Sequence, residues 1–157
     1  MLKLNRMTDY AVVMLTHMSE TPAQTITAAQ IAADSNMPQP TVSKLLKALT
    51  RAGVLLSQRG AVGGYRLARP ATAISVADII TALEGPIALT SCVDGAEEAC
   101  DVQSFCPVRG NWNRVNDAIR GALETVSLAD MAPSPAVAPD FGFPAPSPRV
   151  ASGPEAR

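Results

Sequence analysis

The sequence predicts a mainly α-helical chain with one small β-hairpin, and three observations carry that expectation. First, a capping-box pattern, Thr27-Ala28-Ala29-Gln30, opens one helix, and after the break Met37-Pro38-Gln39-Pro40 a second helix follows with apolar residues at 42, 45, 46 and 49. Second, the short runs Val54-Leu55-Leu56-Ser57 and Tyr65-Arg66-Leu67 flank a glycine-rich loop. Third, Val108, Trp112, Val115, Ile119, Ala122 and Val126 recur at alternating steps of four and three, an a/d-type seam.

The bulk numbers set bounds. A chain of 157 residues fits one domain with appendages. Aromatics are only 4%, so the core must come from Leu, Val, Ile, Met and Ala. No apolar run reaches the ~18–20 residues of a membrane span. Lys3, Arg6, Asp9 and Glu20 interrupt the first twenty residues, which therefore lack a signal peptide's apolar block. A cytoplasmic location with reduced thiols is expected. Charge is segregated: residues 1–69 carry eight basic and three acidic side chains, residues 70–157 five and eleven. A basic first half suits a polyanionic partner.

Taken in order, the first helix is expected from Thr8 to Glu20. Its apolar residues form no single stripe, so it is buried on more than one side. His17, the only histidine, is read as a core or rim residue because no second nitrogen ligand exists to join it. The second helix starts at Ala28 and ends near Ser35-Asn36; the third runs from about Pro40 to Ala52. Two short helices joined by a tight turn, followed by a glycine-rich hairpin, make a winged helix-turn-helix. Another helix starts at Ser75 and ends near Glu84-Gly85-Pro86, closing a domain over residues 1–86. After a cysteine-rich loop at 87–107, a last helix is expected to open at Pro107. It would place Val108, Trp112, Val115, Ile119, Ala122 and Val126 on a homodimer seam within residues 108–131. Gly110 and Gly121 weaken that helix by roughly 1 kcal/mol each. From Ala132 to the end, seven of 26 residues are proline, and this tail is disordered by composition.

The third helix would lie in a major groove of double-stranded DNA, with Gln39, Thr41, Ser43 and Lys44 nearest the base edges. Lys47 and Arg51 would hold phosphates, and Arg59 at the wing tip suits a narrow minor groove. Wings also serve protein contacts, so fold alone does not settle the partner. No nucleophile–base pair or phosphate loop points to an enzyme or to a small-molecule substrate.

The loop holds every cysteine: Cys92, Cys100 and Cys106, with seven and five residues between them. Soft thiolates suit an iron–sulfur cluster. Cys106, just before Pro107, is expected at a helix N-terminus, where the dipole favours the thiolate. A thiol/disulfide switch is the main competitor, and zinc is less favoured without a C-x-x-C knuckle.

The run Leu4–Ala11, the hairpin Arg59-Gly60-Ala61-Val62-Gly63-Gly64-Tyr65 and the three-cysteine loop before a long helix together resemble the IscR/NsrR family. These are winged-helix, iron–sulfur-sensing transcription regulators of bacteria. The run from Cys92 to Trp112, with Leu128-Ala129-Asp130-Met131 behind it, is similar to the subgroup that regulates SUF-system iron–sulfur cluster assembly. The resemblance covers residues 1–131 and implies a homodimeric regulator, a repressor, on a two-fold symmetric operator. It implies a cluster held by Cys92, Cys100 and Cys106, [2Fe–2S] before [4Fe–4S]. Beyond what the resemblance implies, cluster occupancy is expected to order the loop and shift the last helix. Family members with a histidine ligand place it where this chain has Arg109, so that solution is absent. In the nitric-oxide-sensing branch an aspartate in the partner's first helix completes the shell, and Asp9 matches that position. The other reading of Asp9 is a charge favouring its own helix N-terminus.

Overall fold

The computed structural model describes residues 3–60, 63–96, 106–108 and 110–133. Among these, the chain forms α1 (Arg6–Ser19), α2 (Ala28–Asp34), α3 (Gln39–Arg51), β1 (Leu55–Gln58), β2 (Gly64–Leu67), α4 (Val76–Glu84) and α5 (Asn111–Thr125), with a short 3₁₀ turn at Ala71–Ala73. This is the expected winged helix-turn-helix followed by a further helix.

Local chemistry explains where each element starts. α1 opens two residues before Thr8 because Asn5 is the cap: its side-chain oxygen accepts from the Met7 N–H at 3.1 Å. Thr8 is instead fully buried, and its hydroxyl donates to the Glu84 carboxylate at the end of α4, which also accepts from the Asn5 N–H at 3.0 Å. Thr27 caps α2 by accepting from the Gln30 N–H at 3.2 Å. Gln30 meets the Thr27 hydroxyl rather than its backbone N–H, so only half of the capping box closes. α3 has no side-chain cap; Pro40 sits in its first turn, where a missing N–H breaks no helical bond. Both halves of a capping box close at α4, between Ser75 and Asp78.

β1 and β2 pair antiparallel with Leu55 opposite Leu67 and Ser57 opposite Tyr65. Ile26, just before α2, extends this pairing: its N–H and C=O bond reciprocally with Tyr65 at 2.9 and 2.8 Å. Gly64 is required there, since a Cβ would stand 2.5 Å from the Ile26 carbonyl oxygen.

The core is built from Ala11, Met14, Leu15 and Met18 of α1, Ile31 of α2 and all four stripe residues of α3, with Val54, Leu55, Leu67, Ile74 and Ile79. It is aliphatic throughout; Tyr10 and Tyr65 pack half-buried at its edge. His17 lies on the rim between Glu20 (3.6 Å) and Asp34 (3.5 Å).

Two further features differ from expectation. α5 begins at Asn111, not Pro107. Gly110 takes φ +84° immediately before it, and the Asn111 N–H closes a turn on the Val108 carbonyl at 3.1 Å. A left-handed residue cannot propagate the α-helical ladder, so Pro107 and Val108 stay outside the helix. The other difference lies beyond α5. There the chain turns extended, and the Val126 carbonyl accepts from Val76 (2.9 Å) while the Leu128 N–H donates to Ile74 (2.7 Å). This inserts Leu128, fully buried, into the core of the N-terminal domain. A Ser127–Asp130 turn closes the segment; the Ser127 hydroxyl and backbone N–H hold the Asp130 carboxyl below its ordinary value. The expected disordered tail lies, beyond Pro133, outside the described residues.

Leu128→Ala is therefore expected to lower unfolding stability by about 2–4 kcal/mol, seen as a reduced urea midpoint with unchanged slope. A loss under about 1 kcal/mol would mean that the segment docks only loosely.

Candidate DNA-binding face and cysteine site

α3 presents two opposed faces. Val42, Leu45, Leu46 and Leu49 have no exposed surface, which forces Gln39, Ser43, Lys44, Lys47 and Arg51 outward, all exposed. Thr41 is half-buried beside them. α2 and α3 are joined by Ser35–Pro38, with Asn36 at φ +51°, which asparagine tolerates better than most residues. Arg59 is exposed near the wing tip; Ala61 and Val62 lie outside the described residues.

Among the described residues, the ion pairs are His17 with Glu20 and Asp34, Arg69 with Asp78, and Arg120 with Asp117 and Glu124. None engages Lys44, Lys47, Arg51, Arg59 or Arg66. These cations are thus not neutralised by described partners, as a phosphate-binding surface requires. Arg66, exposed on β2 opposite Leu56, belongs with them although the sequence did not single it out. Its place in a wing strand beside the glycine loop was the signal for it.

The cysteine site is described in part. Cys92 and Cys106 are half-buried and unpaired, whereas Cys100 lies outside the described residues. The Cys92 sulfur stands 3.2 Å from the Thr90 hydroxyl. Cys106 precedes Asn111, the first residue of α5, by five positions, so the expected stabilisation of its thiolate by that helix's N-terminus does not apply. Asp9 is exposed on α1 and lines a cleft of about 730 Å³ with Lys3, Asn5, Arg6, Val12 and Glu84. Among the described residues no three His, Cys, Asp or Glu side chains converge within the chain. The donors that are described, two half-buried thiols with a hydroxyl beside one of them, have the softness that an iron–sulfur cluster requires.

Of the seam residues, Trp112, Val115 and Ala122 are exposed on α5, Val108 and Val126 are exposed just outside it, and Ile119 is half-buried. Trp112 and Val115 keep 40% and 44% of their surface in solvent, although α5 packs on α4.

A capped helix-turn-helix with an outward basic face, braced by a wing, is the architecture of a DNA-binding transcription regulator. Over residues 4–134 the chain matches the Rrf2 family, described as iron-dependent transcriptional regulators, and it belongs to that family. It is 35% identical over 102 residues to the HTH-type transcriptional regulator CymR of Bacillus subtilis (strain 168), which covers 65% of this chain and 68% of that one. The structure of B. subtilis CymR, described as the global cysteine regulator of that organism, superposes with a TM-score of 0.65 at 30% identity over 84% of this chain and 97% of that chain. T. potens IscR superposes with a TM-score of 0.60 at 29% identity over 83% and 85%. These relatives are transcription regulators, which supports the non-enzyme reading. No described helix is long and apolar enough to cross a membrane.

The exposed lysines yield a direct test. Lys47→Ala should weaken binding to all duplexes alike and reduce the slope of log affinity against log salt by about one, whereas Gln39→Ala should mainly relax sequence preference. Titrations of labelled duplexes at several salt concentrations measure both.

Proposed function

We propose that this Rrf2-family regulator works as a homodimer that represses genes for iron–sulfur cluster assembly, of the SUF type, and senses an iron–sulfur cluster. Cys92, Cys100 and Cys106 would hold it. The observation that carries this reading is the pair of half-buried, unpaired thiols at the two ends of one loop, directly ahead of α5, in a family described as iron-dependent. When bound, such a cluster supplies a redox-labile group whose loss or damage reports iron and oxidant status.

The rest of the site fits this role. Gln39, Thr41, Ser43 and Lys44 would read base edges, while Lys47, Arg51 and Arg59 hold the backbone of a two-fold symmetric operator. The exposed apolar residues Trp112, Val115, Ala122 and Val126, with Val108 and Ile119, would meet the same surface of a second copy. A [2Fe–2S] cluster is favoured by the resemblance of the Cys92–Trp112 run to the cluster-assembly subgroup. Asp9 from the partner is the candidate fourth ligand; its exposure on α1 leaves it available to a second protomer. A nitric-oxide-sensing [4Fe–4S] repressor is the alternative that a ligating Asp9 would support.

A second reading is a thiol switch without a cluster. It is favoured by the likeness to CymR and by the Thr90 hydroxyl at the Cys92 sulfur, which can donate to a thiolate and so activate it.

Protein purified without oxygen is expected to show visible charge-transfer bands with iron and acid-labile sulfide near about two per protomer. About four would favour the [4Fe–4S] alternative. A colourless chain that stays colourless after reconstitution would overturn the cluster and leave the thiol switch. Asp9→Ala should shorten the lifetime of the cluster and shift its spectrum; an unchanged spectrum and lifetime would remove Asp9 from the ligand set.

A further inference from the structure

The described base of the cysteine loop is fastened to α5 at two points, and Cys92 lies between them. Upstream, the Leu89 N–H donates to Oδ1 of Asn116 at 3.0 Å. Downstream, the Asp94 N–H donates to Oδ1 of Asn113 at 3.0 Å, and Nδ2 of Asn113 donates back to Oδ2 of Asp94 at 2.8 Å. Val93, adjoining Cys92, is buried at 5% exposure. The short segment that carries the thiol is therefore held on both sides by side chains of a single helix.

Asn113 and Asn116 stand three residues apart, so they share one face of α5. Asparagine is disfavoured relative to alanine inside a helix, hence helix formation does not explain two of them. Their chemistry does. An amide accepts from a backbone N–H and donates to a carboxylate at once, which no other short side chain does as well. The reciprocal Asn113–Asp94 pair sets the orientation of that peptide as well as its distance. Asn116, at 2% exposure, is the sole fully buried polar residue of α5 among those described, and its oxygen gives the Leu89 N–H its partner. Trp112 and Val115, each next in sequence to one of these asparagines, are exposed.

We propose that Asn113 and Asn116 are positioning residues that transmit a change at Cys92 to α5. Ligation or modification of the thiol displaces residues 89–94, and the two amides turn the helix that presents Trp112 and Val115. The sensory meaning of this link rests on the function proposed above; the mechanical link itself does not.

The test uses the full chain in a Cys100→Ser/Cys106→Ser background, where Cys92 is the only thiol. Amide hydrogen exchange is followed before and after alkylation of Cys92 with iodoacetamide. With both asparagines in place, alkylation should speed exchange about tenfold in residues 89–94 and in the first half of α5. In Asn113→Ala/Asn116→Ala the response of α5 should fall within about twofold of none, while α3 exchanges as before. Asn116→Asp, which keeps the acceptor for Leu89, should retain the response that Asn116→Leu loses. An α5 that ignores alkylation, or that responds equally in the double alanine variant, overturns the proposal. Iron and sulfide analysis of the native chain judges the cluster separately. A cluster-free protein with a responsive α5 would sink only that reading, and a cluster-loaded protein with an indifferent α5 only this one.

Discussion

The burial of one stripe of α3 governs the rest of this molecule. Val42, Leu45, Leu46 and Leu49 have no exposed surface, and burying each contributes roughly 1.5–3 kcal/mol by removing its apolar surface from water. Because they occupy a single side of the helix, the polar side chains opposite have no alternative to solvent. The outward polar face of α3, the candidate recognition face, is thus a consequence of the core. α1 packs on α4, and α2 and α4 pack on α3, so these helices hold the angle at which that face is offered. The Ile26–Tyr65 pairing anchors the wing to the same body at Gly64, where nothing larger than hydrogen fits without displacing backbone.

The second half of the chain is organised differently. Among the described residues beyond α4 it contributes one side chain, Leu128, to the common core, and it holds the cysteine segment through hydrogen bonds on either side of the buried Val93. That contrast suits the roles proposed for the two halves. A DNA-reading scaffold needs fixed geometry, whereas a sensing loop must change state at modest energetic cost, and bonds partly open to water do so more readily than a packed core. The likeness to the CymR and IscR structures, over 84% and 83% of this chain, shows a common scaffold.

Much of the candidate site was legible in advance because it is set by local periodicity. The α3 stripe, the glycine hairpin and the cysteine run are all visible as spacing, and the stripe faces inward by a rule that needs no tertiary information. Failures occurred where a local signal had two outcomes. Pro107 is a good helix opener, but Gly110 could take the left-handed conformation and postponed the helix by four residues. Cys106 consequently lost its expected place at a helix N-terminus. Asn113 and Asn116 were passed over because an asparagine on a helix has no meaning until its partner, distant in sequence, is known. Arg66 was counted as charge and not as part of the wing surface.

What the sequence alone determined is the fold class, the helix caps at Thr27 and Ser75, the orientation of α3, and which residues hold soft donors. These follow from interactions within a few residues, where period and side-chain chemistry suffice. The tertiary structure alone decided that Leu128 returns to the N-terminal core, that Glu84 ties α4 to the cap of α1, and that Leu89 and Asp94 fasten the cysteine segment to α5. Each of these joins residues 19 to 79 positions apart or inserts a distant side chain into the core. No local propensity encodes such a contact, because its free energy exists only once the chain has closed around it.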